Sequence, residues 1–305
     1  MRTDALTRRI RFAKPQPLDY RIEISGADLA IFDALQRHGP LPTDILYLLA
    51  KAKRGNLQAH KHRLTQLYNG TVDGKRFLAR PQQQFNNRDA RYQPIIYDLD
   101  DNGWDELRKR DMQLSFCPDR RDPMIHRFFA ATVSASLELR AADYAVRYIH
   151  EEEFGRRVRS ASRAITLAGI PQRKVIPDFR FALEYTRNPG FRFFAVEIDR
   201  NTESGERKDK EQTSMEEKLQ GYDQALSLKA FRDQWDVPNL TVLIYTTNQR
   251  HAENIRELVN RLRNPKRFLV CSDPMFATRW TVPRGPLPVE EWRDFTGGTV
   301  NIFER

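Results

Sequence analysis

Three carboxylates in the stretch from Val175 to Arg200, VIPDFRFALEYTRNPGFRFFAVEIDR, have the types and spacing for metal chemistry. Asp178 follows Pro177 directly, and Glu197 and Asp199 stand two apart. Phe179, Phe181 and Leu183 alternate with Arg180 and Ala182; Phe194, Val196 and Ile198 alternate with Ala195, Glu197 and Asp199. This period of two, with Asn188-Pro189-Gly190 between the runs, predicts a β-hairpin. Strand side chains alternate between faces, so Glu197 and Asp199 share one face. Asp178, at the start of the neighbouring strand, meets them at one end of the sheet if the strands pair across the turn. Converging carboxylates repel one another without a cation, and an all-oxygen donor set suits Mg²⁺ or Mn²⁺. The same acids also suit a solvated hairpin face, where they would do no chemistry.

A chain of 305 residues is long enough for two domains of ordinary size. Its 51 Lys and Arg against 41 Asp and Glu give a net charge of +10. That balance favours an anionic partner, of which nucleic acid is the commonest. No apolar run approaches the roughly 20 residues of a membrane span, so no membrane partner is expected. The opening MRTDALTRRIRF lacks the apolar core of a secretion signal. The two cysteines, Cys117 and Cys271, are far apart and lack CxxC spacing, which speaks against a zinc site or a disulfide framework. A reducing, cytoplasmic location is the expectation.

Elements that would position these residues follow in chain order. Residues 1–20 predict a basic arm, with Arg2, Arg8, Arg9, Arg11, Lys14, Pro15 and Pro17. Residues 21–110 predict a winged helix-turn-helix. Its first helix runs from Ser25-Gly26 to His38-Gly39-Pro40, Thr43 caps a second, and Leu57–Tyr68 form a third. Wing strands are expected at Arg76–Arg80 and Tyr92–Tyr97, and a helix after Tyr97 closes the domain. The third helix is the candidate for the major groove, with His60, Lys61, Arg63 and Gln66 as DNA-binding residues. His60 and His62 point apart on a helix at about 100° per residue, which does not suit a metal pair. Residues 111–125 read as a linker, and residues 126–305 as a second domain. A helix from Ile125 or His126 to about Tyr148 opens it; Glu138 on that helix is expected at the surface. Past the hairpin, Ser214 and Glu217 form a capping box for a helix whose buried stripe is Met215, Leu219, Tyr222 and Leu226. Lys218 and Tyr222 are neighbours on it. Leu240–Thr246 and Phe268–Cys271 predict strands around a helix at Ala252–Leu262.

Pro177-Asp178 followed by Glu197-x-Asp199 resembles the PD-(D/E)XK nuclease pattern, and the predicted order of elements from His126 is similar to that fold's αβββαβ core. More specifically, a winged helix followed by PDFRFAL, FFAVEIDRNTE and MEEKLQGYDQAL resembles the replication-relaxation family and the MobC-type relaxases of mobilisable plasmids, over roughly residues 25–262. The resemblance implies an α+β chain: an N-terminal winged helix-turn-helix, then a PD-(D/E)XK, restriction-endonuclease-like α/β domain with a central mixed sheet. It also implies a metal-dependent, nicking, relaxase-like DNA endonuclease. The substrate would be double-stranded DNA at the origin of a plasmid or mobile element, met alongside relaxosome or replication proteins. Asp178, Glu197 and Asp199 would ligate Mg²⁺ or Mn²⁺, with Asp199 as third ligand or as base for water. One departure matters. The usual lysine, two positions after Glu197, is replaced by Asp199, and Lys218 is the residue expected to fill its role. If nothing fills it, the fold is a degenerate nuclease. The chain is then a non-catalytic DNA-binding accessory factor of replication or transfer, or a repressor. A homodimer would permit double-strand cuts and a monomer nicks.

Overall fold

A computed structural model describes residues 15–50, 55–86, 93–110, 112, 123–155, 162–167, 174–200, 215–276 and 281–305. Most of the arm at 1–20 and of the linker at 111–125 lies outside them, as do Ser214 with its expected capping box and Cys117. The chain divides into two compact units, residues 1–135 with 281–287 and residues 136–280 with 288–305. The division falls inside the helix Met124–Asp143 rather than at 111–125. Arg127, near the start of that helix, pairs with Asp98 at 3.0 Å, which ties those turns to the first unit.

The first unit holds α1 (Gly26–His38), β1 (Leu41–Pro42), α2 (Thr43–Leu49), α3 (Leu57–Asn69), β2 (Leu78–Ala79), β3 (Ile96–Leu99) and α4 (Asp101–Arg108). The strands form an antiparallel sheet in the order β1-β3-β2. Ser25 and Asp28 form a reciprocal capping box at the start of α1, and Gly39 stops that helix at φ 104°. Asn56 caps α3 through Ala59 N–H at 2.8 Å, and Gly70 ends it at φ 85°. Ile31, Phe32, Leu35, Leu46, Leu64, Leu67 and Leu107 fill the core. Thr43 does not cap α2: Pro42 holds the cap position, and Thr43 Oγ1 donates to Ile95 O at 2.9 Å, fastening the helix to the chain entering β3.

Two of the residues expected to face DNA turn inward. His60 is 0% exposed, its ring set edgewise against Tyr47 of α2 at 5.5 Å. Arg63 reaches back to α1, where its guanidinium donates to Asp28 Oδ1 at 3.1 Å and Oδ2 at 2.8 Å, and to Glu23 O at 2.7 Å. Gln66 is engaged with Tyr20 at 2.9 Å and Arg63 at 3.2 Å. Lys61 and His62 are exposed.

The second unit takes in the end of α5 (Met124–Asp143), then β4 (Val146–His150), α6 (Glu151–Gly155), β5 (Ile165–Thr166), β6 (Lys174–Val175), β7 (Phe179–Tyr185) and β8 (Gly190–Asp199). It continues through α7 (Met215–Ser227), α8 (Ala230–Trp235), β9 (Thr241–Thr246), α9 (Gln249–Asn260), β10 (Phe268–Ser272), β11 (Glu291–Arg293) and β12 (Thr299–Asn301). The helix expected to reach Tyr148 stops at Asp143. Ala145 takes a left-handed turn at φ 54°, and Val146–His150 pair antiparallel with β7 instead. The main sheet runs β12-β11-β10-β9-β8-β7-β4. It is mixed: β4, β7 and β8 are antiparallel, whereas β8, β9 and β10 are parallel. Leu219, Tyr222 and Leu226 of α7 and Ile255 and Val259 of α9 pack with Ala182, Ala195, Val242, Ile244 and Val270 of the sheet. The other parity of the hairpin stacks Tyr148, Phe181 and Phe194, with centroids 5.0 and 4.7 Å apart. No described helix is long and apolar enough to cross a membrane.

Burial alone would raise the Asp28 carboxyl, but the bonds from Arg63 and Ser25 outweigh it and hold it below the ordinary 3.8. A depressed acid contributes stability above its unfolded value and loses it as pH falls through the folded one. Arg63→Ala strands a buried carboxylate, and urea denaturation at pH 7 is expected to show a loss of about 3 kcal/mol that narrows below pH 4. A loss under about 1 kcal/mol at pH 7 would show that the pair does not hold α1 to α3.

Candidate active site

Hairpin register brings the acids to one sheet end. The β7–β8 ladder runs from Tyr185↔Gly190 to Phe179↔Val196, leaving Asp178 as the next residue out beside Glu197. Asp178 N–H donates to Val196 O at 3.0 Å, and its Oδ2 accepts from Ile198 N–H at 2.6 Å. The aspartate is thereby stapled to the last turns of β8. Parallel pairing then sets Glu197 against Ile244 and Asp199 against Thr246 at the end of β9.

Helix α7 covers the face that carries Glu197. Lys218 Nζ donates to Glu197 Oε2 at 2.6 Å, and Tyr222 OH donates to Oε1 at 2.6 Å. Four residues separate the two donors, one helical turn, so both reach a single carboxylate. Asp199 Oδ2 lies 2.5 Å from His251 Nε2, on the first turn of α9. Thus Asp178, Glu197 and Asp199 all act on Lys218, with Tyr222 and His251 as further members, but the three carboxylates do not offer oxygens all within 4.8 Å of one another as a shared ion would need.

Charge in this site is concentrated and poorly solvated. Glu197 is 1% exposed. Burial, followed by the neighbouring Asp178 charge, raises its carboxyl to about 7 despite the donors from Lys218 and Tyr222. Burial disfavours the Lys218 ammonium, yet Glu197, Asp178 and Asp199 together hold it well above its ordinary value. Burial and the Glu197 charge push the Tyr222 hydroxyl well up. At neutral pH the site therefore holds a fixed cation, Lys218, and a neutral donor, Tyr222.

Behind the acids lies a second polar group. Arg180, 4% exposed, donates to Glu151 Oε1 at 2.7 Å, and its guanidinium sits 4.5 Å from the Trp235 ring. Arg163 donates to the same carboxylate at 2.9 Å and to Asp178 O at 3.1 Å, which ties the strand end in place. Glu138 is half-buried against His150 Nε2 at 2.8 Å rather than free at the surface. His150 pairs with Phe181, whose ring faces away from the Glu197 side, so Glu138 stands apart from the acids.

Sequence reasoning missed the bond from Tyr222 to Glu197, because an aromatic at stripe spacing reads as packing. It also missed His251, whose partner is 52 residues away in the chain. The buried strand followed by Asn248, a capping residue, was the available signal that an α9 side chain begins next to the β8 end. Comparison of the chain with protein-family models, with characterised proteins and with solved structures finds no match.

An acid whose folded value is raised from 4.5 to about 7 contributes stability that is full below 4.5 and lost as pH rises through 7. Thermal unfolding in EDTA is therefore expected to show a melting temperature that falls between pH 5 and pH 8, with a shallower slope in Glu197→Gln. An identical slope in both proteins would mean that Glu197 does not carry this titration.

Proposed function

We propose that the chain is a divalent-metal-dependent DNA endonuclease of the nicking, relaxase-like kind. The observation that carries this is the Lys218 ammonium, fixed 2.6 Å from Glu197 beside two further carboxylates. Lys218 would supply the positive charge that the nuclease pattern draws from a lysine two positions after the glutamate. Architecture supports the assignment: α5, the antiparallel strands β4, β7 and β8, then α7 and parallel β9 follow the αβββαβ order of PD-(D/E)XK nucleases. Three helices followed by two strands around a loop support a winged helix ahead of it.

The donor set fits Mg²⁺ or Mn²⁺. It is all oxygen and each carboxylate oxygen can accept in more than one direction, although the three do not offer oxygens all within 4.8 Å of one another here, so holding one ion would require the side chains to close on it. Asp178, Glu197 and Asp199 would hold the ion, which supplies Lewis acidity and eases deprotonation of water. Lys218 places positive charge where it grows negative on the scissile phosphate. Tyr222 fixes the Glu197 rotamer, and Arg163 fixes the strand end that bears Asp178. Lys61 and His62 on α3, with the net charge of +10, supply attraction for double-stranded DNA. The substrate would be a mobile-element origin in the cytoplasm, engaged with relaxosome or replication proteins.

One observation favours the non-catalytic DNA-binding alternative. Both Glu197 oxygens are satisfied by Lys218 and Tyr222, so the ion pair is closed without any metal. Incubation with supercoiled plasmid carrying the element's own origin separates the two. With Mg²⁺ or Mn²⁺, and not with EDTA, the wild type is expected to yield open circles. Lys218→Ala should lose at least about a hundredfold in rate while still binding DNA. Lys61→Ala should weaken DNA binding and lower the salt slope by about one. DNA binding without cleavage by the wild type would leave the accessory role in its place.

A further inference from the structure

We infer that the turn after α9, residues 261–267, is a second contact for the phosphate backbone of double-stranded DNA, carried by the second unit; this rests on the DNA binding proposed above and not on the metal centre. The turn reads RLRNPKR, and its four cations, Arg261, Arg263, Lys266 and Arg267, are all exposed. Among the described residues no ion pair engages any of them. Positive charge is favoured at a helix C-terminus, which accounts for Arg261 at the end of α9, but that attraction falls off within the last turn. It gives no reason for Lys266 and Arg267, which belong to the next turn of the chain.

The turn is fastened from beneath. Leu262 packs on the core between the two exposed arginines, and Phe268, directly after Arg267, is fully buried. Asp223 of α7, 8% exposed, accepts from Arg263 N–H at 3.1 Å and from Asn264 N–H at 2.9 Å. Asn264 Nδ2 donates to Asp223 Oδ1 at 2.8 Å and to Ser227 Oγ at 2.9 Å. Arg267 N–H closes the turn on Asn264 O at 3.0 Å. Asp223 thus gives its oxygens to backbone and amide donors rather than to the arginines, and the four charges stay in solvent. Lys266 also lines a cavity of about 410 Å³ with Arg192, Thr241 and Thr296, side-chain types that bind phosphate oxygens. Asp294, on the same cavity, is taken up by Thr296 N–H and Gly298 N–H, each at 2.9 Å. Cations carried on a backbone that is already ordered lose little freedom on binding. Contacts of this kind hold a duplex without reading its bases.

Fluorescence anisotropy of the full chain across a salt series tests the inference, on one labelled duplex with the element's origin and one of unrelated sequence. Thermal unfolding checks the fold. Each phosphate neutralised contributes about 0.9 to the slope of log affinity against log salt. Arg261→Ala, Arg263→Ala, Lys266→Ala and Arg267→Ala combined are expected to lower that slope by about 2 to 4 on both duplexes, at an unchanged melting temperature. Arg261→Lys, Arg263→Lys and Arg267→Lys combined keep every charge and should keep the slope. If the quadruple variant fails to fold, Lys266→Ala with Arg267→Ala is expected to lower the slope by about 1 to 2. A fall of less than about 2 in the folded quadruple variant, or of less than about 1 in the double variant, would overturn the inference. An equal loss in the lysine variant would also overturn it, as would a loss confined to the origin duplex, which would make these side chains readers of bases. A wild type that binds neither duplex would overturn the DNA reading and this contact with it, an outcome separate from wild-type binding that the four alanines leave intact.

Discussion

A carboxylate sealed under a helix is the constraint that the second unit is built around. Glu197 is 1% exposed, and a buried charge is costly unless it is paired and hydrogen-bonded. The fold answers with two donors from one helix, Lys218 and Tyr222, each at 2.6 Å. This fixes the rotation of α7 on the sheet, because Leu219 and Leu226 must go down into the core while Lys218 and Tyr222 meet the acid. Replacing a buried ion pair by apolar residues is often neutral or stabilising. Stability alone therefore gives no account of a carboxylate that burial, and next the Asp178 charge, raise to about 7.

The sheet supplies the rest of the arrangement from neighbouring strand ends. Antiparallel pairing of β7 with β8 brings Asp178 beside Glu197, and parallel pairing of β8 with β9 brings the start of α9, with His251, beside Asp199. Residues far apart in the chain meet because hydrogen-bonded strands finish at the same level. Glu151 with Arg163 and Arg180 then braces the β7 end from behind, so the acids rest on regular structure and a buried ion network.

Local pattern made part of this legible. Alternation gave the hairpin, and a period of two put Glu197 and Asp199 on one face before any register was known. Lys218 could be named because helix phase placed it one turn from Tyr222 and the usual lysine position held Asp199. What pattern could not supply was the identity of covering elements. His60 and Arg63 sit at spacing that reads as an outer face, yet Tyr47 of α2 and Asp28 of α1 cover them. The strand Val146–His150 follows a helix with no Gly or Pro between them; Ala145 takes the left-handed turn that a glycine would have announced. Tyr222 carries its meaning in a hydroxyl that hydrophobic spacing ignores, and His251 meets Asp199 through a parallel pairing across 52 residues.

Anomalous scattering from crystals grown with Mn²⁺ tests most directly whether this cluster is a metal centre. The expected result is a peak bounded by Asp178, Glu197 and Asp199, with Lys218 beside it. Its contradiction would be full-length protein at saturating Mn²⁺ with no peak there, and Glu197 still bonded to Lys218 and Tyr222 alone.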